Sequence, residues 1–370
     1  MRQWCGLLLV IMAGGAVAGD GSRTSGRAPR REVVAEAATE LRVVVGSCQD
    51  QGAAQDHWDR MLAERPDLVV LAGDNVYADV VLDEAGRFAG FEQSLARVEA
   101  AYASMVNVEA FQRFRAAVPV LATWDDHDYG FNDAGAELPF RAESQALFLD
   151  FWGAGPEDAR RSREGVYSAA WARAGKLRVQ IVLLDVRSFR SPLRRAGEGV
   201  PTPDGPYVED RSPEKTMLGE AQWAWLEARL RERADLRLIV SGTQVLAEGH
   251  GHERWGNLPL ERERLIRLIE ATRAQGVVFV SGDRHFGEIL RDDTEVPYPL
   301  WELSSSSLNK SFGGRPNEPA PLRVGPQVAS TNHGLVRVDP GRREVELTIR
   351  AHDGSAGSSV IVALDTLRPR

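Results

Sequence analysis

Gly276-Val-Val-Phe-Val-Ser-Gly-Asp-Arg-His-Phe-Gly287 is the stretch of sequence that decides the fold. Its apolar run is bounded by glycine and rich in β-branched and aromatic side chains, which predicts a strand buried on both faces. Asp283 and His285 follow this strand directly. In open α/β sheets, ligand sites gather beyond the carboxyl ends of the strands. We therefore expect a functional site where this strand ends.

Three further stretches have the same design, an apolar strand that ends at side chains with a thiol, carboxylate, phenol or imidazole group. They are Val43-Val-Val-Gly-Ser-Cys48, Asp67-Leu-Val-Val-Leu-Ala-Gly-Asp-Asn-Val-Tyr77 and Val118-Pro-Val-Leu-Ala-Thr-Trp-Asp-Asp-His-Asp-Tyr129. Strands of an α/β sheet that run in the same direction end at the same edge. The four stretches are therefore expected to supply one shared cluster.

Composition indicates a folded protein without a nucleic-acid partner. The 370 residues are 43% hydrophobic and 26% charged, which is typical of globular domains. The formal net charge is -8. Binding of nucleic acid through its phosphates requires a basic stripe that displaces counterions, so this balance argues against such a partner.

The first residues have the pattern of an export signal. Arg2 precedes the apolar run from Leu7 to Met12, and the small-residue sequence Ala16-Val-Ala18 follows, which predicts a signal peptide over 1–18. The run is shorter than the roughly 20 residues of a spanning helix, so no stable membrane anchor is expected after cleavage. We predict a periplasmic or extracellular protein with a flexible leader at 19–40, one folded domain at 41–352 and a C-terminal tail at 353–370.

Periodicity predicts alternating strands and helices through the folded domain. The stretch from Ala85 to Ala117 has helical spacing, with Phe91 and Phe114 among its expected core positions. The Pro- and Gly-rich stretch from Ser191 to Ser212 is expected to form a lid or a rim. Further helices are predicted at 57–64, 143–152, 218–233 and 261–274, and strands at 41–45, 67–71, 121–124, 177–184, 236–240, 300–303, 334–338 and 345–349.

The side chains at the strand ends form a mixed set of metal ligands. Asp125-Asp-His-Asp128 places three carboxylates and an imidazole together, and these carboxylates repel one another unless water or cations neutralise them. Thiolate, phenolate, carboxylate and imidazole together suit a transition metal beside a harder, oxygen-preferring cation. For each motif alone, a solvated loop, a tight turn or a buried histidine of the core remains an alternative.

Six motifs in order resemble the PhoD-like alkaline phosphatases, a branch of the calcineurin-like metallophosphoesterases. The resemblance spans about Leu41 to Leu303. The motifs are Gly46-Ser-Cys48, Gly73-Asp-Asn-Val-Tyr77, Trp124-Asp-Asp-His-Asp128, Leu184-Asp-Val-Arg-Ser-Phe-Arg190, Leu218-Gly-Glu-Ala-Gln-Trp-Ala-Trp-Leu226 and Ser281-Gly-Asp-Arg-His285. The resemblance implies a four-layer αββα metallophosphoesterase sandwich with two mixed β-sheets, and a metal site at the strand ends.

The resemblance also implies the metals and their ligands. Asp74 would bridge an Fe(III) site and a second site, for which Ca²⁺ is the expected cation. Asp126 and Asp283 stand where related phosphoesterases carry an Asn and a His, and both substitutions favour a hard second metal. Gln244 lies near the position of another family histidine. The implied iron ligands are Cys48, Asp74, Tyr77 and His285, and the further metal candidates are Asp126, Asp283 and Gln244.

The activity implied by the resemblance is hydrolysis of phosphoric esters, either monoesters or diesters. A metal-bound hydroxide would attack phosphorus in line with the leaving oxygen. His127 would protonate that oxygen or stabilise its charge, and Arg187 would hold a nonbridging phosphoryl oxygen. The alternative for Arg187 is a structural salt bridge to Asp185 or another acid.

Two other functions remain open at this point. One is a non-catalytic secreted metal-binding protein, in which His127 and Arg187 would have no task. The other is a hydrolase with Cys48 as nucleophile and His127 or His285 as base. The latter leaves the carboxylates at the strand ends without a role.

Overall fold

A computed structural model describes residues 33–197, 205–294, 296–313 and 318–369. Two large sheets dominate it, sheet A with seven strands and sheet B with six. Sheet A has the order β1 (Val33–Ala37), β7 (Ser168–Ala174), β8 (Leu177–Leu183), β9 (Leu236–Ser241), β10 (Val277–Ser281), β12 (Leu300–Ser305), β11 (Gly287–Asp292). Sheet B has the order β15 (Ser358–Ala363), β14 (Glu344–Ala351), β13 (Asn332–Asp339), β2 (Leu41–Gly46), β3 (Leu68–Ala72), β6 (Val120–Thr123).

A small hairpin and the helices complete the described fold. The hairpin consists of β4 (Val80–Leu82) and β5 (Phe88–Phe91), which pair antiparallel. The helices are α1 (His57–Ala63), α2 (Leu95–Val106), α3 (Glu109–Ala117), α4 (Asp126–Tyr129), α5 (Arg141–Phe151), α6 (Gly219–Leu230) and α7 (Pro259–Ala271).

Both sheets are mixed, with a parallel centre and antiparallel neighbours. In sheet B, β2, β3 and β6 run parallel, whereas β13, β14 and β15 pair antiparallel. In sheet A, β8, β9, β10 and β12 are parallel, and β7 and β11 pair antiparallel with their neighbours β8 and β12. Within each parallel set the carboxyl ends therefore lie at one edge.

The side chains of β2 show why the architecture has four layers. Val43 and Val45 belong to the apolar core shared with sheet A, whereas Val44 belongs to the core under helices α1 to α5. Successive side chains of a strand point to opposite faces, so sheet B is covered on both sides. Leu226 of α6 and Leu265 of α7 pack into the core of sheet A. The four-layer αββα sandwich with two mixed sheets is confirmed.

The strand ends of the two sheets meet in very close contact, and this contact requires glycine. A Cβ atom at Gly242, after β9, would lie 2.4 Å from the Oδ1 of Asp125, after β6. A Cβ atom at Gly282, after β10, would lie 2.4 Å from the Oγ of Ser47, after β2. Real Cβ atoms do not approach other atoms so closely, so any side chain here would separate the two sheets at their ends.

The structure corrects two boundaries. Strand β1 lies within the expected leader at 19–40 and pairs with β7, and β15 lies within the expected tail at 353–370 and pairs with β14. Both segments supply strand edges to the sheets, so neither is a free extension. The predicted signal peptide at 1–18, and the leader as far as residue 32, lie outside the described residues.

The prediction of one helical stretch from Ala85 to Ala117 is wrong in its first part. Residues up to Phe91 belong to the β4–β5 hairpin, and helices begin only at Leu95 and Glu109. Phe114 is buried as expected, but Phe91 is 41% exposed. Among the helices that the structure describes, none has both the length and the apolar character needed to cross a bilayer.

Candidate metal centre

Cys48, Asp74 and His285 come together from three different strand ends. One ligand atom from each lies within 4.8 Å of the others. The Cys48 thiol donates to the Oδ2 of Asp74 at 3.4 Å, and the hydroxyl of Tyr77 donates to the same oxygen at 3.0 Å. The Tyr77 hydroxyl also lies 3.3 Å from the Nε2 of His285. The four expected iron ligands thus form one compact cluster.

Asp74 also faces a second group, made mainly of carboxylates. Asp74, Asp126 and His127 have ligand atoms within 4.8 Å of one another, and so do Asp125, Asp126 and Asp283. The Oδ1 atoms of Asp74 and Asp126 and the Oδ2 of Asp283 are buried without a hydrogen-bond partner among the described residues. Buried carboxylate oxygens without a partner are costly, and cations satisfy them. The residues present therefore fit two adjacent metal ions that share Asp74.

Burial dominates the protonation of this cluster in the metal-free protein. It raises the pKa of Asp74 to about 7 and the pKa of Asp283 well above its usual range. Burial likewise raises the pKa of the Cys48 thiol and lowers that of His285 to about 3. A thiol nucleophile needs a lowered pKa, so burial of Cys48 argues against the thiol-hydrolase alternative. A bound cation would favour the deprotonated ligands.

The backbone at the ligands adopts an unusual conformation. Cys48, Asp74, Asp283 and His285 have φ values of 60°, 49°, 74° and 59°. Non-glycine residues rarely adopt this left-handed region, and each such residue costs of the order of 1–3 kcal/mol. The described residues include only four other non-glycine positions of this kind. The fold therefore holds its candidate ligands in a strained backbone geometry, which is common at functional sites.

His285 is oriented by the backbone of a later loop. Its Nδ1 donates to the carbonyl oxygen of Lys310 at 2.7 Å, which leaves Nε2 for the metal cluster. The backbone N–H of His285 donates to the Oγ of Ser306 at 2.7 Å. Hydrogen bonds of this kind fix the tautomer and the ring orientation of a ligating histidine.

His127 is held by a carboxylate that the sequence analysis missed. Its Nδ1 lies 2.7 Å from the Oδ1 of Asp79, which leaves Nε2 available on the other side of the ring. Burial alone would lower the pKa of His127, but the charges of Asp126 and Asp74 and the hydrogen bond to Asp79 raise it well above its usual value. In the metal-free protein these contacts therefore favour the protonated form of His127.

The proposed phosphate contact of Arg187 is wrong. Its side chain is 0% exposed and does not line the cavity at the site. Its Nε donates to the Oδ1 of Asp125 at 2.6 Å, and its Nη2 lies 2.7 Å from the Oε2 of Glu253. Arg187 is thus a structural arginine, as the alternative held, although its partners are Asp125 and Glu253 instead of Asp185.

Gln244 does not join the metal cluster either. Its Nε2 donates to the Oε1 of Glu288 at 2.6 Å, and among the described residues it forms no hydrogen bond with a candidate ligand. It follows β9, whereas the candidate ligands follow β2, β3, β6 and β10. Position in the order of motifs suggested Gln244, but its contacts place it in a separate polar group with Glu288.

Sequence analysis found no signal for one further residue near the site and suggested the wrong role for another. Glu253 lies in a loop far from any strand-end motif, and its carboxylate pairs with Arg187 and Arg190. Asp128 was noticed as one of a run of carboxylates, but its role is structural. It accepts from the backbone N–H groups of Asp125 and Asn75 and so fixes two strand ends against each other.

A cavity of about 670 Å³ opens over the cluster. Asp126, His127, Asp283 and His285 form its polar floor. Its apolar lining comes from the hairpin and from three loops and consists of Tyr77, Val80, Leu82, Phe88, Phe91, Pro206, Tyr207 and Phe312. Pro206 and Tyr207 belong to the stretch predicted as a lid or rim, and they lie at the rim of this cavity. Residues 198–204 of that stretch lie outside the described part.

Comparison with known proteins identifies the family. A family model described as PhoD-like phosphatase matches residues 43–349. Alkaline phosphatase D of Bacillus subtilis strain 168 is 23% identical over 287 residues, which cover 66% of this chain and 46% of that protein. The chain thus spans about half the length of the curated relative that it matches.

Solved structures show the same fold. The structure described as that of PhoD matches with a TM-score of 0.71 at 20% identity. The matched part covers 91% of this chain and 72% of the PhoD chain. A Plasmodium protein, described as GAP50, the anchor in the inner membrane complex, has a TM-score of 0.52 at 12% identity, with 90% of each chain covered. Because the family model covers most of the sequence and the strand-end cluster has the expected ligands, the chain belongs to the PhoD-like phosphatase family.

Proposed function

We propose that the protein is a metal-dependent phosphoester hydrolase. The observation that carries this proposal is the buried cluster in which Asp74 joins a thiol, phenol and imidazole group to a group of carboxylates with buried oxygens that have no hydrogen-bond partner among the described residues. Such a cluster fits two cations side by side, and it opens into a cavity that can take a phosphoester. Membership of the PhoD-like phosphatase family supports the same reaction.

The ligand types favour different metals in the two positions. Cys48, Tyr77 and His285 with Asp74 suit Fe(III), whereas Asp74, Asp126 and Asp283 offer the oxygen atoms that Ca²⁺ prefers. When bound, the cations supply Lewis acidity, which makes water nucleophilic near neutral pH and offsets the charge of the phosphoryl oxygens.

The protein's own groups would bind the ester and move its proton. His127, held by Asp79, lines the cavity and in its protonated form would donate the Nε2 proton to the leaving oxygen. With Arg187 buried, the only lysine and arginine side chains of the described cavity lining are Lys310 and Arg284. Charge neutralisation at the phosphoryl group would therefore rest chiefly on the metals.

We further propose that the protein is exported. The support is the signal-peptide pattern at 1–18, with its cleavage motif Ala16-Val-Ala18. Cys48 is the only cysteine left after removal of residues 1–18. In an oxidising compartment, a metal bound to its thiol would protect it from oxidation. The folded domain would then extend from β1 to β15.

The test is hydrolysis of p-nitrophenyl phosphate and bis(p-nitrophenyl) phosphate by the mature protein. Activity should disappear on chelation and return when Ca²⁺ and iron are restored, and the ratio of the two rates gives the preference for monoesters or diesters. The matched variant is Asp74→Asn, which removes the carboxylate that the two metals would share. Loss of a residue that only hydrogen-bonds to a metal ligand typically costs about 10- to 100-fold, so loss of this ligand should lower turnover by more than about a hundredfold.

The outcome separates the competing functions. Metal-loaded protein that binds its cations but hydrolyses neither ester would be a non-catalytic metal-binding protein. Activity that resists chelation and is lost on alkylation of Cys48 would instead establish the thiol hydrolase.

A further inference from the structure

The cavity at the site has an unusually apolar outer wall. In the described part of the chain, seven large apolar side chains are exposed, and four of them line this one cavity. They are Leu82, Phe88, Phe91 and Phe312, with exposed fractions of 57%, 61%, 41% and 59%. Exposed apolar residues that are clustered, instead of scattered, mark binding surfaces.

Three of these residues are presented by the β4–β5 hairpin, which is fixed to the catalytic floor. The hairpin follows Asp79 in the chain, and the backbone N–H of Glu92 donates to the carbonyl oxygen of Asp79 at 2.8 Å. Phe88 and Phe91 make an edge contact with ring centroids 5.0 Å apart. The apolar wall therefore has a defined position relative to the proton donor that Asp79 holds.

The hairpin residues of the wall lie next to His127, the group proposed to protonate the leaving oxygen. The ring of Phe91 is 5.7 Å from the ring of His127, the group that donates to the leaving oxygen. The ring of Phe312, the fourth residue of the wall, stacks instead on His285 with centroids 4.0 Å apart. A substituent on the oxygen that His127 protonates would thus extend along Phe91 and Phe88.

The charges around the cavity argue against a second anionic group on the substrate. The Nζ of Lys310 pairs with the Oδ2 of Asp50 at 2.7 Å, and Arg284 pairs with Glu318. These are the only lysine and arginine side chains that line the described cavity, and both already have carboxylate partners. A polyphosphate or a nucleic-acid chain would bring additional phosphates, and the described lining residues offer no lysine or arginine without a carboxylate partner to receive them.

We infer that Phe88 and Phe91 form a leaving-group subsite for an uncharged apolar substituent, so that the substrates are phosphoesters of aliphatic or aromatic alcohols. This inference rests on the proposed phosphoester hydrolysis and names its substrate class. Binding at the subsite is favourable because the apolar group is removed from water. The hairpin is anchored at Asp79, so the position of the subsite relative to His127 is fixed.

The test compares two esters whose leaving groups are both alkoxides, hexyl phosphate and glycerol phosphate, together with their methyl diesters. Wild-type protein should have the higher kcat/KM for the hexyl ester. Phe88→Ala and Phe91→Ala should each reduce the ratio of hexyl to glyceryl kcat/KM by about tenfold, as expected for loss of apolar contact in a pocket. Ile361→Ala is the matched control, because Ile361 is 59% exposed on β15 and does not line the cavity.

A binding measurement keeps the subsite testable apart from turnover. Hexylphosphonate should bind the metal-loaded protein more tightly than methylphosphonate in titration calorimetry, and Phe88→Ala should remove most of that difference. If no ester is hydrolysed but this difference is found, the proposed activity fails and the subsite stands. If esters are hydrolysed and neither the ratio nor the phosphonate difference changes in the variants, the subsite is refuted.

A membrane surface is the other occupant that an apolar patch could have. Sedimentation of the protein with phosphatidylcholine vesicles, lost in Phe88→Ala while the hexyl to glyceryl ratio stays constant, would assign the patch to lipid and overturn the inference. The inference is supported if wild-type protein and Phe88→Ala both stay in the supernatant with vesicles present, and if Phe88→Ala lowers the hexyl to glyceryl ratio of kcat/KM as expected.

Discussion

The carboxylate of Asp79 holds the Nδ1 of His127 and the backbone N–H of Asn132 at the same time. It has no motif that sequence analysis could recognise, because its neighbours Ala78 and Val80 give no chemical context. Its importance arises only from the position of the hairpin that follows it. Asp79 is thus a positioning residue, which acts through His127.

We predict that Asp79→Asn lowers kcat by about a hundredfold, since partners that orient a catalytic or ligating group typically matter at this level. The hydrogen bond to Asp79 helps to raise the pKa of His127, so its loss should shift the alkaline limb of the pH–rate profile to lower pH. A purely structural role would reduce activity equally at all pH values. An unshifted profile would therefore contradict the assignment.

Arg187 leads to a prediction about stability. Removing its guanidinium leaves the carboxylates of Asp125 and Glu253 buried without their partner. Arg187→Ala should then lower the free energy of unfolding by about 3 kcal/mol or more, measured by urea denaturation. The control is Arg113→Ala, since Arg113 is 57% exposed in its pair with Asp59 and should change stability by less than about 1 kcal/mol.

A stable Arg187→Ala protein with a raised KM would contradict this view and restore the phosphate contact.

Among the residues predicted from sequence, Cys48, Asp74, Tyr77, Asp126, His127, Asp283 and His285 lie together in the structure. They were found because each follows a strongly apolar strand. Arg187 and Gln244 also follow strands, but strand position alone does not tell whether a side chain points to the site or into the protein.

At the scale of elements, prediction succeeded where apolar runs were long. Strands β2, β3, β8, β9 and β10 were expected because they are rich in valine, leucine and isoleucine. Strand β7 has the sequence SAAWARA, whose alanines favour a helix, and its pairing with β8 overrides that preference. The second strand of the hairpin was assigned to a helix because Phe91 has helical spacing with Leu95 and Val98. In the structure Phe91 lines the cavity instead.

The C-terminal strand yields a prediction about truncation. Val362, Leu364 and Leu367 are buried in the main apolar core. A chain that ends at residue 356 loses β15 with these side chains and should lose about 5 kcal/mol or more of stability. A chain that ends at residue 367 keeps them and is the matched control. Equal melting temperatures for the two proteins would show that 353–370 is a dispensable tail after all.

At the scale of the whole molecule, a group of histidines outside the candidate metal centre contributes to the pH dependence of stability. His57 is buried at the start of α1. The rings of His333 and His352 are in contact, with the Nδ1 of His333 2.9 Å from the Nε2 of His352. Burial lowers the pKa of His57 to about 3 and the pKa of His352 to about 4. In the unfolded chain both take up a proton below about pH 6.5.

These two imidazoles therefore bind more protons in the unfolded state than in the folded state between about pH 6.5 and pH 4, so their contribution to stability falls as the pH falls through this range. Each of the two imidazoles contributes up to about 1.4 kcal/mol per pH unit. We predict that His57→Gln has a shallower loss of melting temperature between pH 7 and pH 5 than the wild type, with metals in excess for both. Parallel curves would refute the contribution of His57.

The pairing of β2 with β13 links the two ends of the chain in time as well as in space. During synthesis, β2 emerges early and pairs with β3 on one side, but its other edge stays open until β13 appears nearly 300 residues later. At about 5–20 residues per second, this edge is uncovered for roughly 15 to 60 s. An open strand edge invites pairing with other chains, so a holding factor would protect the nascent protein during this interval. The metal centre, whose His285 follows β10, would be completed only after β10 has been made.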